Sequence, residues 1–248
     1  MLEYGIMKPY FNISCFSTTR HGGCGEGAYA TFNCTYYCGD YPESVKANLE
    51  ILAASLPKRP QFFVIPRQTH TTNVRVIKDI PTQEALQDVD AVVTHLKDFC
   101  LCVSTADCVP VLLYDTSKEV IAAIHAGWRG TVGRIVEKTL EVMKTEYGTE
   151  GKDVIACIGP SISLESFEVG DEVYVAFVGA GFEMNRIARR YEKWHLDLWE
   201  ANRLQLLAHG VLPEHIEVAG ICTYQNHEDF FSARRLGIKS GRILSGIM

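Results

Sequence analysis

VPVLLYDTSKEVIAAIHA, residues 109–126, is the stretch on which the fold turns. Two almost continuously apolar runs, VPVLLYD and VIAAIHA, flank the polar segment TSKE, with Asp115 just before it. Each run is far short of the ~20 apolar residues that a membrane span requires. The pattern instead predicts a hairpin buried on both faces, since one-sided burial would leave alternate positions polar. An antiparallel hairpin of these two runs carries Cys108, just ahead of the first, and His125, near the end of the second, to the same end of the sheet.

Outward from this hairpin, FFVIP (62–66), VRVIKDI (74–80), DAVVTH (90–95) and CLCVST (100–105) read as short strands, followed later by DVIACIG (153–159) and IEVAGICTY (216–224). FNISCFST (11–18) begins with mixed alternation and gives way to the glycine-rich HGGCGEG. Residues 42–57 place Val45, Leu49, Leu52 and Leu56 on one helical face, with Asp40 and Pro42 at the start and Pro57 at the end. Residues 131–147 repeat helical spacing through Val132, Ile135, Val136, Leu140, Met143 and Tyr147, and Gly148 supplies the stop. Residues 171–178 and 198–209 also read as helices. The class is mixed α/β (α+β), without the regular βαβ alternation of a doubly wound sheet. No repeat, charge block or Pro/Gly/Ser-rich linker divides the chain, so residues 1–248 are read as one domain.

A formal net charge of −6 and an isoelectric point near 5.8 argue against a broad nucleic-acid surface. They leave room for a local anion pocket. The opening MLEYGIMKPYFN lacks a basic segment followed by an apolar run, and Pro9 would interrupt one. The expectation is a cytoplasmic protein with no membrane partner. Nine cysteines, an odd count, fit reduced thiols better than a disulfide framework.

Three segments join strand ends to reactive side chains: PRQTH (66–70), STADC (104–108) and HAGWRG (125–130). His70, Cys108 and His125 are donors suited to zinc, and three protein ligands with an open fourth position make a catalytic rather than a structural zinc pattern. Their spacing contains no CxxC or HExxH chelate. Each histidine read singly is equally a hydrogen-bonded core residue, and Cys108 equally a buried thiol or a nucleophile activated by His125. A zinc that only staples the fold would need a fourth ligand, for which His21, His95 and Asp107 are the candidates. HAGWRG also precedes the 131–147 pattern, so Gly127, Gly130 and Arg129 at a helix start read as an oxyanion or phosphate cradle, or as a surface turn. Arg20 and His21 before the 22–27 glycine turn read as a second phosphate- or ribose-contacting segment. The arginines of FFSARR (230–235) and SGR (240–242) read as solvated or helix-pairing. Asp107, adjacent to Cys108, is a candidate proton carrier or a group that orients the ligands.

These motifs together resemble a widespread bacterial family long labelled laccase-like or polyphenol oxidase and now understood as multifunctional purine nucleoside enzymes. The resemblance runs in order through FSTTRHGG (16–23), Gly39-Asp40, RQTH (67–70), DVDAVVT (88–94), STADCVPVLLYD (104–115) and IHAGWRGTVGRIV (124–136). It continues through IGPSIS (158–163), FEVGDEV (167–173), WHLDLWEANRLQL (194–206), CTYQN (222–226) and FFSARR (230–235). It implies a single-domain layered sandwich of mixed β-sheets flanked by helices, with zinc on His70, Cys108 and His125. It also implies phosphorolysis of adenosine, inosine, guanosine and methylthioadenosine, and deamination of adenosine. Where the family often carries a cysteine-rich stretch, this chain reads GPSISLESFEV (159–169), so no role of those cysteines transfers.

Two other chemistries compete. The older family label implies copper-dependent oxidation of phenols. Eight scattered histidines with no HxH pair do not supply a standard multicopper centre, although copper binds such a donor set more tightly than zinc. A Cys108/His125 thiol hydrolase is the second.

Overall fold

The protein is described by a computed structural model covering residues 1–248. The hairpin forms as the apolar runs predict: Val109–Asp115 pairs antiparallel with Val120–Ala126, in register from Val109 opposite Ala126 to Asp115 opposite Val120. It lies at the centre of a six-stranded sheet. The spatial order is Ile216–Val218, Val154–Ile158, Val109–Asp115, Val120–Ala126, Ala91–Thr94, Val74–Val76. The outer pair at each edge is parallel and the inner pairs are antiparallel, so the sheet is mixed.

Alternation along the hairpin explains the layers. Val109, Val111, Leu113, Val120, Ala122 and Ile124 turn to one face, where they meet Ile135, Leu140 and Met143 of the Ile135–Tyr147 helix and Ala201 and Leu206 of the Leu198–Ala208 helix. Leu112, Tyr114, Ile121 and Ala123 turn to the other face and pack on Val64, Leu101, Val103 and Ile247 of a second sheet. That sheet has five strands, in the order Leu2–Glu3, Cys15–Ser17, Ile243–Ile247, Phe99–Thr105, Phe62–Val64. Its far side, through Phe16, Cys100, Cys102 and Leu244, is covered by Leu52 of the Pro42–Ser55 helix. The result is helix, sheet, sheet, helix. A small antiparallel sheet of Glu168–Val169, Trp194–Leu196 and Ala188–Arg190 flanks the helix side. With both faces covered, each hairpin leucine is fully buried, contributing about 1.5–3 kcal/mol.

Two elements depart from the sequence reading. The 131–147 helix is broken: Trp128–Val132 forms a short helix, and Ile135–Tyr147 follows after Gly133 and Arg134. A Cβ on Gly133 would lie 2.5 Å from Thr72 Cγ2, so a side chain there would force Thr72 to shift. Arg134 takes a left-handed φ of 62° and is held by Glu137, the Ala180 carbonyl and the Phe182 ring. Apolar periodicity is blind to such a break because the core-facing residues resume in phase. IEVAGICTY is a strand only over Ile216–Val218, after which Gly220, at φ 65°, turns the chain. No helix is long and apolar enough to cross a membrane.

Candidate metal centre

His125 is the last inward-facing residue of its strand on the sheet–sheet side, so its ring closes the end of the layer between the two sheets. The ring is buried, with a relative exposure of 4%. Its orientation is set by Asp90, whose carboxylate accepts from His125 Nδ1 at 2.7 Å and leaves Nε2 to face outward. The same carboxylate accepts the N–H groups of His70 at 3.0 Å and Thr71 at 2.8 Å, and the Thr71 hydroxyl at 2.7 Å. It thereby holds His70 in a left-handed backbone conformation, φ 65°, which a non-glycine residue adopts only when its surroundings impose it. One buried acid therefore positions two imidazoles. Burial alone would raise the Asp90 pKa, but the His125 and Thr71 hydrogen bonds and the His125 charge outweigh it and hold the carboxyl below its ordinary value.

Cys108 comes from the turn that enters Val109–Asp115. Its neighbour Asp107 has φ 85° and is fixed by hydrogen bonds from Thr223 Oγ1 and the Arg234 N–H, both 2.7 Å. Cys108 Sγ then lies 3.7 Å from His70 Nε2, and the donor atoms of His70, Cys108 and His125 all fall within 4.8 Å of one another. A tetrahedral centre with Zn–S of about 2.3 Å and Zn–N of about 2.0–2.1 Å needs an S···N edge of about 3.6 Å. The trio fits such a metal with small movements. Burial opposes ionisation of Cys108, but the charge and hydrogen bond of His125 and the hydrogen bond of His70 bring it down to about 6. Burial likewise opposes protonation of His125, but the Cys108 charge and the Asp90 hydrogen bond lift it to about 9. Both shifts favour a thiolate beside a protonated imidazole, and a cation would take the place of that proton.

Gly127 lets the trio close. A Cβ there would stand 2.9 Å from His70 Cδ2 and 3.1 Å from Cys108 Sγ, although its φ of −67° suits any residue. The Gly127→Ala protein should fold but bind metal about 10–100-fold more weakly, comparable to the loss of a ligand-orienting contact. Chelator competition monitored beside circular dichroism checks this. Unchanged affinity would show that the trio is not closed against Gly127.

The trio opens on a cavity of about 170 Å³, lined also by Thr35, Tyr37, Gln68, Ser104, Ile238 and Arg242. Gln68 clasps the Ser104 backbone from both directions, donating to its carbonyl and accepting from its N–H. Residues 14–248 match the family model for the multi-copper polyphenol oxidoreductase laccase. The chain belongs to this laccase-like family. Among its relatives is a purine nucleoside phosphorylase of Bacteroides thetaiotaomicron, 58% identical, with alignment over 100% of this chain and 96% of the relative. Adenosine deaminase RL5, from an unknown prokaryotic organism, is 44% identical over 97% of this chain and 95% of its own length. The crystal structure of YlmD from Geobacillus stearothermophilus superposes with a TM-score of 0.88 at 31% identity, covering 96% of this chain and 92% of that one.

In this member of the laccase-like family, His70, Cys108 and His125 form the one cluster of at least three His, Cys, Asp or Glu donors close enough to share a metal. His21, His95 and Asp107 do not join it as a fourth ligand. Arg20, His21, Asp107 and Arg129 lie outside the cavity lining. Arg129 is exposed in the first turn of the five-residue Trp128–Val132 helix, its guanidinium 4.2 Å from the centre of the Trp128 ring. Arg20 donates to the Ala30 and His227 carbonyls and lies over Phe231, while His21 pairs with Asp229 at the surface. Asp107 has both carboxylate oxygens engaged. Asp90 is the site residue that the sequence reading misses. Asp90 opens a strand in sequence, and its buried charge was the available signal. Arg242 was read as solvated, yet it lines the cavity.

Proposed function

We propose that the chain is a zinc-dependent catalytic domain acting on purine nucleosides. Its reactions are phosphorolysis of adenosine, inosine, guanosine and methylthioadenosine, together with deamination of adenosine. The observation that carries this reading is the His70–Cys108–His125 trio facing an open cavity, in a chain whose relatives bear phosphorylase and adenosine deaminase names. A closed structural site would use a fourth protein ligand.

Bound zinc would supply Lewis acidity toward a substrate or water oxygen. The chain's own contribution is orientation. Asp90 fixes the imidazole of His125 and the backbone of His70, and Asp107 holds the turn that presents Cys108. Asp107 thus acts through Cys108 as a positioning residue, with its oxygens already committed. Tyr37 and Ile238 offer apolar surface for a purine, and the Thr35 and Ser104 hydroxyls, 2.6 Å apart, offer polar partners for a sugar. Arg20 serves this reading by tying the Ala30 and His227 carbonyls together, whereas Arg129, exposed and stacked on its neighbour Trp128, ties no distant segment. Nine free cysteines support a reducing compartment such as the cytoplasm.

A panel of purine nucleosides, with and without inorganic phosphate and with products resolved by chromatography, tests the proposal. Free base with ribose 1-phosphate is expected when phosphate is present, and inosine from adenosine. Well-folded, zinc-loaded protein that turns over none of them would overturn it. The copper reading of the family name is decided on the same preparation. Protein made without added copper is expected to carry zinc and to leave phenols unoxidised.

A further inference from the structure

Arg242 is an arginine with an unusual set of partners. Its Nη1 donates to the Ser240 and Gly241 carbonyls and its Nη2 to the Ile238 carbonyl. Its backbone N–H donates to Asn33 Oδ1. Those three side-chain bonds fix the guanidinium against the 238–241 turn and leave two of its five N–H groups, Nε–H among them, uncommitted. No carboxylate pairs with it. Asp40, on the adjoining loop, spends its oxygens on Asn33 Nδ2 and the Tyr41 N–H. A half-buried arginine held rigidly by carbonyls, with unspent donors and no counter-ion, is set up for a ligand rather than for a salt bridge.

The charge of the cavity points the same way. Although the chain carries a net −6, no aspartate or glutamate lines this cavity, whereas Arg242 does, together with His70 and His125. No carboxylate of the lining therefore offsets the Arg242 charge. The broader groove of about 670 Å³ beside Thr72, Arg75 and Lys138 lacks this character, because Asp88, Glu141 and Glu146 also line it.

The geometry points to Arg242 as the oxyanion-binding residue of this cavity, gripping a phosphate group next to the metal trio. The assignment deepens the nucleoside reading and rests on it only for the source of the phosphate, either the inorganic co-substrate or the phosphate of a nucleotide. Preorganisation by the three carbonyls makes the binding cost little side-chain entropy, and the two unspent N–H groups are donors suited to phosphate oxygens.

The test compares zinc-loaded wild type with Arg242→Met, which keeps the aliphatic length, and Arg242→Lys, which keeps the charge. Inorganic phosphate and adenosine monophosphate are titrated separately by calorimetry. In Arg242→Met, phosphate affinity should fall at least tenfold, with partial recovery in Arg242→Lys. The ratio of phosphorolysis to deamination of adenosine should fall by a similar factor through a raised KM for phosphate. Should only adenosine monophosphate bind, and bind through Arg242, the assignment stands with a nucleotide as its source. Wild type that turns over no nucleoside but loses phosphate binding in Arg242→Met would refute the proposed function and uphold the anion site. Equal phosphate and adenosine monophosphate binding by wild type and Arg242→Met, or no binding of either by wild type, would overturn the assignment.

Discussion

Replacing Cys108 with alanine should leave a folded protein that binds little zinc and retains less than about a thousandth of its nucleoside turnover, because the Lewis acid is worth several kcal/mol and is lost with its thiolate ligand. The fold should survive. Cys108 sits in a turn outside the strand it precedes, and the layered core holds none of its side chain. His70→Ala should behave alike, and this second variant separates two mechanisms. A nucleophilic Cys108 activated by His125 would need no His70, whereas a three-ligand metal site needs all three. Metal content measured on purified protein, together with turnover after chelation and after restoring zinc, reads the result. Full activity in His70→Ala would sink the metal reading and favour the thiol one. Retained zinc in both variants would show that the trio is not where the metal sits.

The residues that turned out legible in sequence share a property: their signal is local. The hairpin strands were read to the residue because burial on both faces makes each run almost wholly apolar, and the polar TSKE marks the turn. The donors of the trio were legible because histidine and cysteine at strand ends are chemically conspicuous, and the hairpin supplied one of their contacts. What sequence left unread depends on distant pairing. Ile243–Ile247 lies between Cys15–Ser17 and Phe99–Thr105, and no periodicity in its own five residues names those partners. The break before Ile135 coincides with the left-handed Arg134, which is held by the Ala180 carbonyl and the Phe182 ring, more than forty residues away in the chain. Arg242 is the sharpest case. Its segment looks like any exposed Ser-Gly-Arg, and only the packing of the 33–40 loop and the 238–241 turn gives it a cavity and deprives it of a counter-ion.

Asp90 should prove the most costly position to change outside the trio. Its carboxylate, fully buried, satisfies His125 Nδ1, the N–H groups of His70 and Thr71, and the Thr71 hydroxyl. Alanine would orphan His125 Nδ1 and the N–H groups of His70 and Thr71, so about 3–5 kcal/mol of stability should go, as when one partner of a buried ion pair is removed. Asparagine keeps the size but turns an amide NH₂ toward groups that also donate. It should cost less stability, yet still weaken metal binding about 10–100-fold by releasing the His125 ring. Urea unfolding of the metal-free proteins and chelator competition on the loaded ones separate the two effects. The acid limb carries a further signature. Because Asp90 titrates below its ordinary value in the folded protein, its stabilisation is present above the unfolded value of about 4 and fades as the pH drops through the folded one. Wild type should therefore lose stability more steeply than Asp90→Asn below about pH 4. Parallel acid-unfolding curves for the two proteins, with unchanged metal affinity in Asp90→Asn, would mean that His70 and His125 hold their places without Asp90.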